Sequence, residues 1–227
     1  MNGVDLAWVV GRPVLGIPTA LATRLRSYGS ERLPQTGGVV LAVNHFSWID
    51  IPCLGYESPR NIYFLAKIEA HRVHGLGEII RLFGAFSVRR GESDREAVRR
   101  MREVVREGNV LGVFVEGTRQ RSGVPGTVQP GAAMAALQED VPVVCVAIHG
   151  SQKWKIGNFA PVSLAWGEPV RFEGLPKGAK GYREASREIE AELYRLWSWL
   201  RDLHEAGRPR VAVPPSRGDA AHVTLPS

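Results

Sequence analysis

The chain has 227 residues, 44% hydrophobic and 23% charged, which excludes a disordered or fibrous protein and suits one sizeable domain with its own core. Its formal net charge is +6, and between Arg60 and Arg121 thirteen Lys or Arg stand against eight Asp or Glu, so nearly all the excess is mid-chain. That field favours an anionic partner (a phosphorylated substrate, an anionic lipid surface or nucleic acid), although the mixed charges of Arg95 to Glu107 also fit a solvated helix.

In chain order, Met1 to Val10 carries an acid and no basic n-region, so no signal peptide is expected. "LAWVVGRPVLGIPTALATRLR" is apolar but broken by Arg12, Pro13 and Pro18. Its longest charge-free piece, Pro13 to Thr23, falls short of the roughly 20 residues that cross a bilayer. Two readings fit it: an interfacial segment with Arg24 and Arg26 at the headgroups, or a helix packed on the domain's own core. "YGSERLPQTGG" is turn-rich and leads into "VVLAVN", a buried-strand pattern, and "IYFLA" is the next such run, ending at Lys67. A helix is expected through "EIIRLFG", then a short strand at "AFSV".

"SDREAVRRMREVVREG" reads as an amphipathic helix with Ser93 as N-cap, Gly108 as its end, and Ala97, Met101, Val104 and Val105 on one face. "VLGVFV" is a strand that runs into "EGTRQRSGVPG"; "AAMAALQED" is a helix and "VPVVCVAIHG" a strand. "LAWGEPVRFE" is one more strand, interrupted at Pro169, and "GYREASREIEAELYRLWSWLRDLHEAG" is a long closing helix. From Arg208 onward the Pro-, Gly- and Ser-rich composition predicts a disordered tail. Cys53 and Cys145 lie far apart in apolar runs, which reads as buried thiols in a reducing compartment. Strands alternating with helices predict a single α/β domain with a largely parallel sheet flanked by helices.

Two stretches carry chemistry. In "LAVNHFSWIDIP" His45 and Asp50 are five apart, a spacing that diverges by roughly 140° in an ideal helix. They converge only if His45 sits in the strand-to-helix turn and Asp50 in the first helical turn, with Ser47 as N-cap. Asp50 then has two readings, the acidic half of a capping box or the orienting carboxylate of a general-base histidine. With no GxSxG signature, the attacking oxygen would belong to the substrate. In "FVEGTRQRSG" a strand delivers Glu116 and Arg119 through a glycine turn, where parallel sheets place ligands, and the Arg119 fork suits phosphate. Glu116 either binds substrate or holds Arg119 and the turn; the second is favoured.

Together these residues resemble the glycerophospholipid acyltransferase family. Its N-H-x4-D motif is matched by Asn44, His45 and Asp50, and its F-P-E-G-T-R-S motif by Phe114, Glu116, Gly117, Thr118 and Arg119. Gly84 to Arg90 matches the glycine-to-arginine motif, Lys67 the lysine after the second strand, and "VPVVCVAIHGS" the final V-P-I/V-x-P strand. The resemblance runs from Tyr28 to Pro169. Val115 and Cys145 replace two family prolines while staying apolar, and Gln129 stands near a position where many members carry lysine.

The resemblance implies transfer of a fatty acyl group from a thioester of coenzyme A or acyl carrier protein to a lysophospholipid hydroxyl. The expected acceptor is 1-acylglycerol-3-phosphate, giving phosphatidic acid, with other lysolipids or glycolipids as the alternative. His45 would be the base and Asp50 its orienting group. Lys67, Arg90, Glu116, Gly117, Thr118 and Arg119 would bind substrate, with no metal and no further cofactor. Taken with the apolar start and the Pro-rich end, this gives residues 1–27 as an N-terminal interfacial helical segment, 28–207 as the catalytic domain and 208–227 as the tail. The protein would then sit peripherally on the cytoplasmic face of an anionic membrane, with no nucleic-acid partner. A nucleic-acid-binding module would leave the His45–Asp50 pair idle, and a silent lipid-binding protein would show no turnover.

Overall fold

The computed structural model describes residues 8, 9, 11–67, 86–88 and 94–217. The expected helix through "EIIRLFG", the Ser93 cap and Arg90 lie outside the described residues. Seven strands, β1 (Arg26–Tyr28), β2 (Val39–Val43), β3 (Ile62–Lys67), β4 (Phe86–Val88), β5 (Val110–Phe114), β6 (Val143–His149) and β7 (Ser163–Trp166), form one sheet in the order β1-β7-β6-β2-β5-β3-β4. All neighbours run parallel except β6 and β7. The helices are α1 (Ile17–Ala22), α2 (Asp50–Glu57), α3 (Asp94–Arg106), α4 (Gly131–Glu139) and α5 (Ala179–Glu205), with a π-helical turn at Arg12–Gly16 leading into α1.

The sheet is covered on both faces, so β2 and β6 are buried at every residue, as their unbroken apolar runs require. On one face Val40, Ala42, Leu111, Cys145 and Ala147 pack with α3, α4 and α5. On the other Val39, Leu41, Val43, Val144, Val146 and Ile148 pack with Ile49, Cys53 and Leu54 at and in α2. Of the predicted apolar face of α3, Met101, Val104 and Val105 are buried. At Gly112 in β5 a side chain would meet the ring of Phe64 at 2.6 Å, so glycine lets that aromatic lie across the strand. Both cysteines are free and buried, and burial pushes the Cys53 thiol up to about 12.

Four sequence expectations change. Arg26 and Ser27, the last residues of the stretch read as preceding the domain, form with Tyr28 a sheet strand against β7. Its Tyr28 is buried, edge-on to Trp199, and donates to the Pro209 carbonyl at 2.8 Å. Trp8 is likewise buried on the sheet face that carries α2, above Gly55, so this residue of the N-terminal segment packs on the domain's own core. The strand at "LAWGEPVRFE" stops at Trp166, and beyond Pro169 only Val170 rejoins the ladder, exchanging two backbone bonds of 2.8 Å with Val143. Finally, residues 208–217 are not a loose tail. Arg208 is buried, donating to Ser163 Oγ and to the carbonyls of Arg24 and Val162. Arg32 donates to the Pro214 carbonyl, and Arg217 pairs with Glu188. Guanidinium-to-carbonyl bonds of this kind fix a chain whose Pro- and Gly-rich composition forms no helix or strand.

Candidate active site

The connections leaving β2 and β5, neighbouring parallel strands, depart on opposite faces: β2 leads to α2 and β5 to α4. This is a topological switch point, where the carboxyl ends of the strands open a crevice. His45 follows β2 and Glu116 follows β5, so the two sequence stretches meet there.

The amide of Asn44, the first residue past β2, is fully buried and extends the sheet ladder, donating to the Ile148 carbonyl at 3.0 Å and accepting from the Ile148 N–H at 2.7 Å. That pairing fixes where β2 ends and the turn begins. His45 is then held at both backbone groups. Its N–H donates to Glu116 Oε2 at 2.8 Å, and its carbonyl accepts from the Gln120 N–H at 2.7 Å. Its ring stacks on Phe114 with centroids 4.0 Å apart, and its side chain stays 15% exposed at the crevice.

Asp50 does converge on His45. The helix begins at Asp50 itself, and Ser47 supplies no side-chain cap. Instead, Asp50 Oδ2 accepts from Phe46 N–H and Ser47 N–H, both at 2.8 Å, and lies 2.9 Å from His45 Nδ1. The capping and orienting roles therefore coincide in one oxygen. A carboxylate can only accept, so Nδ1 carries the proton and Nε2 presents its lone pair, the state of a general base. The carboxylate is completely buried and its Oδ1 has no hydrogen-bond partner among the described residues.

Glu116 does not pair with Arg119. Its Oε1 accepts from the Gly126 N–H at 2.8 Å while Oε2 holds His45, so the carboxylate braces the loop after β5 and ties it to the turn after β2. Burial pushes its pKa up, and the Gly126 and His45 N–H groups pull the other way. Gly117 turns the chain at φ +70°, a conformation that disfavours any side chain. Thr118 and Arg119 follow on the exposed rim, and Arg119 makes no ion pair or side-chain hydrogen bond among the described residues. Lys67 closes β3, which pairs with β5, at the same end of the sheet. Among the described residues no cluster of three His, Cys, Asp or Glu side chains could hold a metal. The Gln120 and Gly126 amides and the Phe114 face escaped the sequence reading. Backbone donors carry no residue-type signal, although Phe114 stood inside a recognised motif.

A doubly wound sheet with a carboxylate-oriented histidine at its switch point can take the proton from a hydroxyl bound in the crevice. Residues 24–149, more than half of the chain, match the Acyltransferase family, and the chain belongs to it. It is 29% identical over 167 residues to the 1-acyl-sn-glycerol-3-phosphate acyltransferase of Bacillus subtilis, covering 71% of this chain and 83% of that one. It is 34% identical over 106 residues to the lyso-ornithine lipid O-acyltransferase of Pseudomonas aeruginosa, covering 46% and 40%. The crystal structure of the 1-acyl-sn-glycerophosphate acyltransferase of Thermotoga maritima superposes with a TM-score of 0.68 at 25% identity, covering 91% of this chain and 80% of that chain.

Proposed function

We propose that the protein acylates the free hydroxyl of 1-acylglycerol-3-phosphate, taking the acyl group from a thioester of coenzyme A or acyl carrier protein. The observation that carries the mechanism is the His45–Asp50 pair, with Nδ1 tied to the carboxylate and the ring clamped by its own backbone and Phe114. His45 Nε2 takes the hydroxyl proton as the oxygen attacks the thioester carbonyl, and Asp50 stabilises the imidazolium that forms. The tetrahedral intermediate collapses with loss of the thiolate, which takes the proton back from His45. The acyl group passes directly to the acceptor, and no acyl-enzyme forms.

Arg119, free at the rim, is the first candidate for the acceptor phosphate, since its planar fork matches phosphate oxygens. Lys67 and Arg90 complete that role, while Gly117 and Thr118 shape the turn that meets the acceptor. No helix among the described residues is long and apolar enough to cross a membrane, and the exposed Val14, Leu15, Ile17 and Leu21 support peripheral attachment through the N-terminal segment; the cytoplasmic face is part of this reading. The likeness to the lyso-ornithine lipid enzyme, with glutamine at 129, supports a second reading in which the acceptor lacks the phosphate. Long-chain acyl-thioester transfer to lysophosphatidic acid and to lyso-ornithine lipid, measured side by side in vesicles, separates the two. Preference for the phosphorylated acceptor is expected; preference for the other would replace this reading with the second.

A further inference from the structure

The loop between β6 and β7 makes no contribution to the hydroxyl chemistry, yet it is built with unusual care. Asn158 Oδ1 accepts from the Lys155 and Ala160 N–H groups, at 3.0 and 3.1 Å, and its Nδ2 donates to the Lys153 carbonyl at 2.8 Å. Phe159 is held at φ +49°, a conformation that non-glycine residues rarely adopt. The result of this bracing is to hold two large apolar side chains in solvent, Ile156 at 85% exposure and Phe159 at 55%.

The loop is also tied to the N-terminal segment and to the site. Trp154 Nε1 donates to the Ala22 carbonyl at the end of α1 at 3.0 Å, and Arg24 Nε donates to the Phe159 carbonyl at 2.9 Å. The Trp154 ring meets Trp48 edge-on with centroids 5.3 Å apart, and Trp48 lies in the turn between His45 and Asp50. Exposed Ile17 and Leu21 on α1, Trp48 and Ile51 at the start of α2, and Ile156 and Phe159 thus belong to segments bonded to one another beside His45. The exposed charges of the β6–β7 loop and of Arg24, which bonds to it, are of one sign. Arg24, Lys153 and Lys155 are exposed, none makes an ion pair among the described residues, and no Asp or Glu occurs from 141 to 167. An apolar patch of this kind marks an interaction surface, and aromatic and cationic groups around it match the headgroup zone of an anionic bilayer.

We propose that the β6–β7 loop is a second membrane-docking element, acting with α1 and Trp48 to seat the mouth of the His45 site on an anionic lipid surface. This rests on the lipid-directed reading above, because the bilayer is then the source of the acceptor. The test is flotation of the full chain with vesicles of phosphatidylcholine alone and of phosphatidylcholine with phosphatidylglycerol. The paired substitution Ile156→Asp and Phe159→Asp should weaken partitioning at least about a hundredfold, since each side chain loses its burial in lipid. Transfer to a dispersed short-chain acceptor should be unchanged, as neither residue touches the site. Lys153→Gln with Lys155→Gln should remove about fivefold per lysine, and only for the anionic vesicles.

Unchanged vesicle binding by the aspartate pair overturns the docking surface. So does a pair that leaves vesicle binding intact while weakening self-association or the binding of an acidic carrier protein. Vesicle binding that depends on Ile156 and Phe159, in a chain that transfers no acyl group, supports the surface and overturns the acyl-transfer reading instead.

Discussion

Replacing Asp50 by Asn separates what the carboxylate does for position from what it does for charge. Three N–H donors converge on Oδ2, two from the backbone of Phe46 and Ser47 and one from His45 Nδ1. An amide can place its oxygen there and keep all three. The flipped amide would point NH₂ at two backbone N–H groups, so the backbone selects the orientation that preserves the His45 tautomer. What is lost is the negative charge opposite the developing imidazolium, about 1.5–3 kcal/mol for a charge-assisted hydrogen bond, or roughly 10- to 10²-fold in kcat. That is far milder than the roughly 10⁴-fold seen when such a substitution leaves the histidine in the wrong tautomer.

The NH₂ also takes the buried Oδ1 position, which has no partner among the described residues, and that costs about 1–3 kcal/mol of stability. Asp50→Ala removes all three bonds and should be worse on both counts. The assays are steady-state acyl transfer and thermal unfolding of the same preparations. A kcat for Asp50→Asn as low as that of a variant lacking His45 would refute the backbone-selected tautomer, and one equal to wild type would refute the contribution of the charge.

Other outcomes follow from the same contacts. Glu116→Gln keeps one acceptor for two N–H groups, so stability should fall by about 1–3 kcal/mol, with reduced kcat as His45 loses its backbone clamp; an unaltered melting curve would count against that. Arg119→Lys should raise the apparent KM for lysophosphatidic acid by an amount worth roughly 1.5–3 kcal/mol and leave donor KM and Tm unmoved; a fall in Tm would show that Arg119 is structural. Burial lowers the pKa of His149 to about 4 and of His204 to about 3, while the unfolded chain titrates near 6.5. Between those values the unfolded state binds more protons, so stability should fall as pH drops below 6.5, by at most about 1.4 kcal/mol per unit for each histidine. His204→Asn should flatten the dependence of Tm on pH, and an unchanged slope would place the acid sensitivity elsewhere.

Much of the fold was legible because strands buried on both faces leave unbroken apolar runs, as in Val39–Val43 and Val143–His149, and because the charged helix Asp94–Arg106 keeps its apolar residues in register. Arg26–Tyr28 was not, since three residues with two polar side chains show no period. Trp8 shows the limit of amphipathicity: an apolar side chain wants to leave water, and the sequence does not say whether core or lipid receives it. Residues 208–217 are ordered through guanidinium and carbonyl bonds made to distant residues, which composition cannot register. At the site, type and spacing left Asp50 as either cap or orienting carboxylate of His45, and only the resemblance to the N-H-x4-D motif favoured the second. Glu116 holds the turn as expected, but through the backbone N–H groups of His45 and Gly126 rather than through Arg119, and backbone donors are invisible in a string of side chains.

The most direct test of the mechanism is acyl transfer from a long-chain acyl thioester to lysophosphatidic acid by wild type and His45→Ala, at matched Tm. Loss of the general base should lower the rate by at least about 10²- to 10⁴-fold. Turnover by His45→Ala at the wild-type rate would contradict direct transfer by a histidine base.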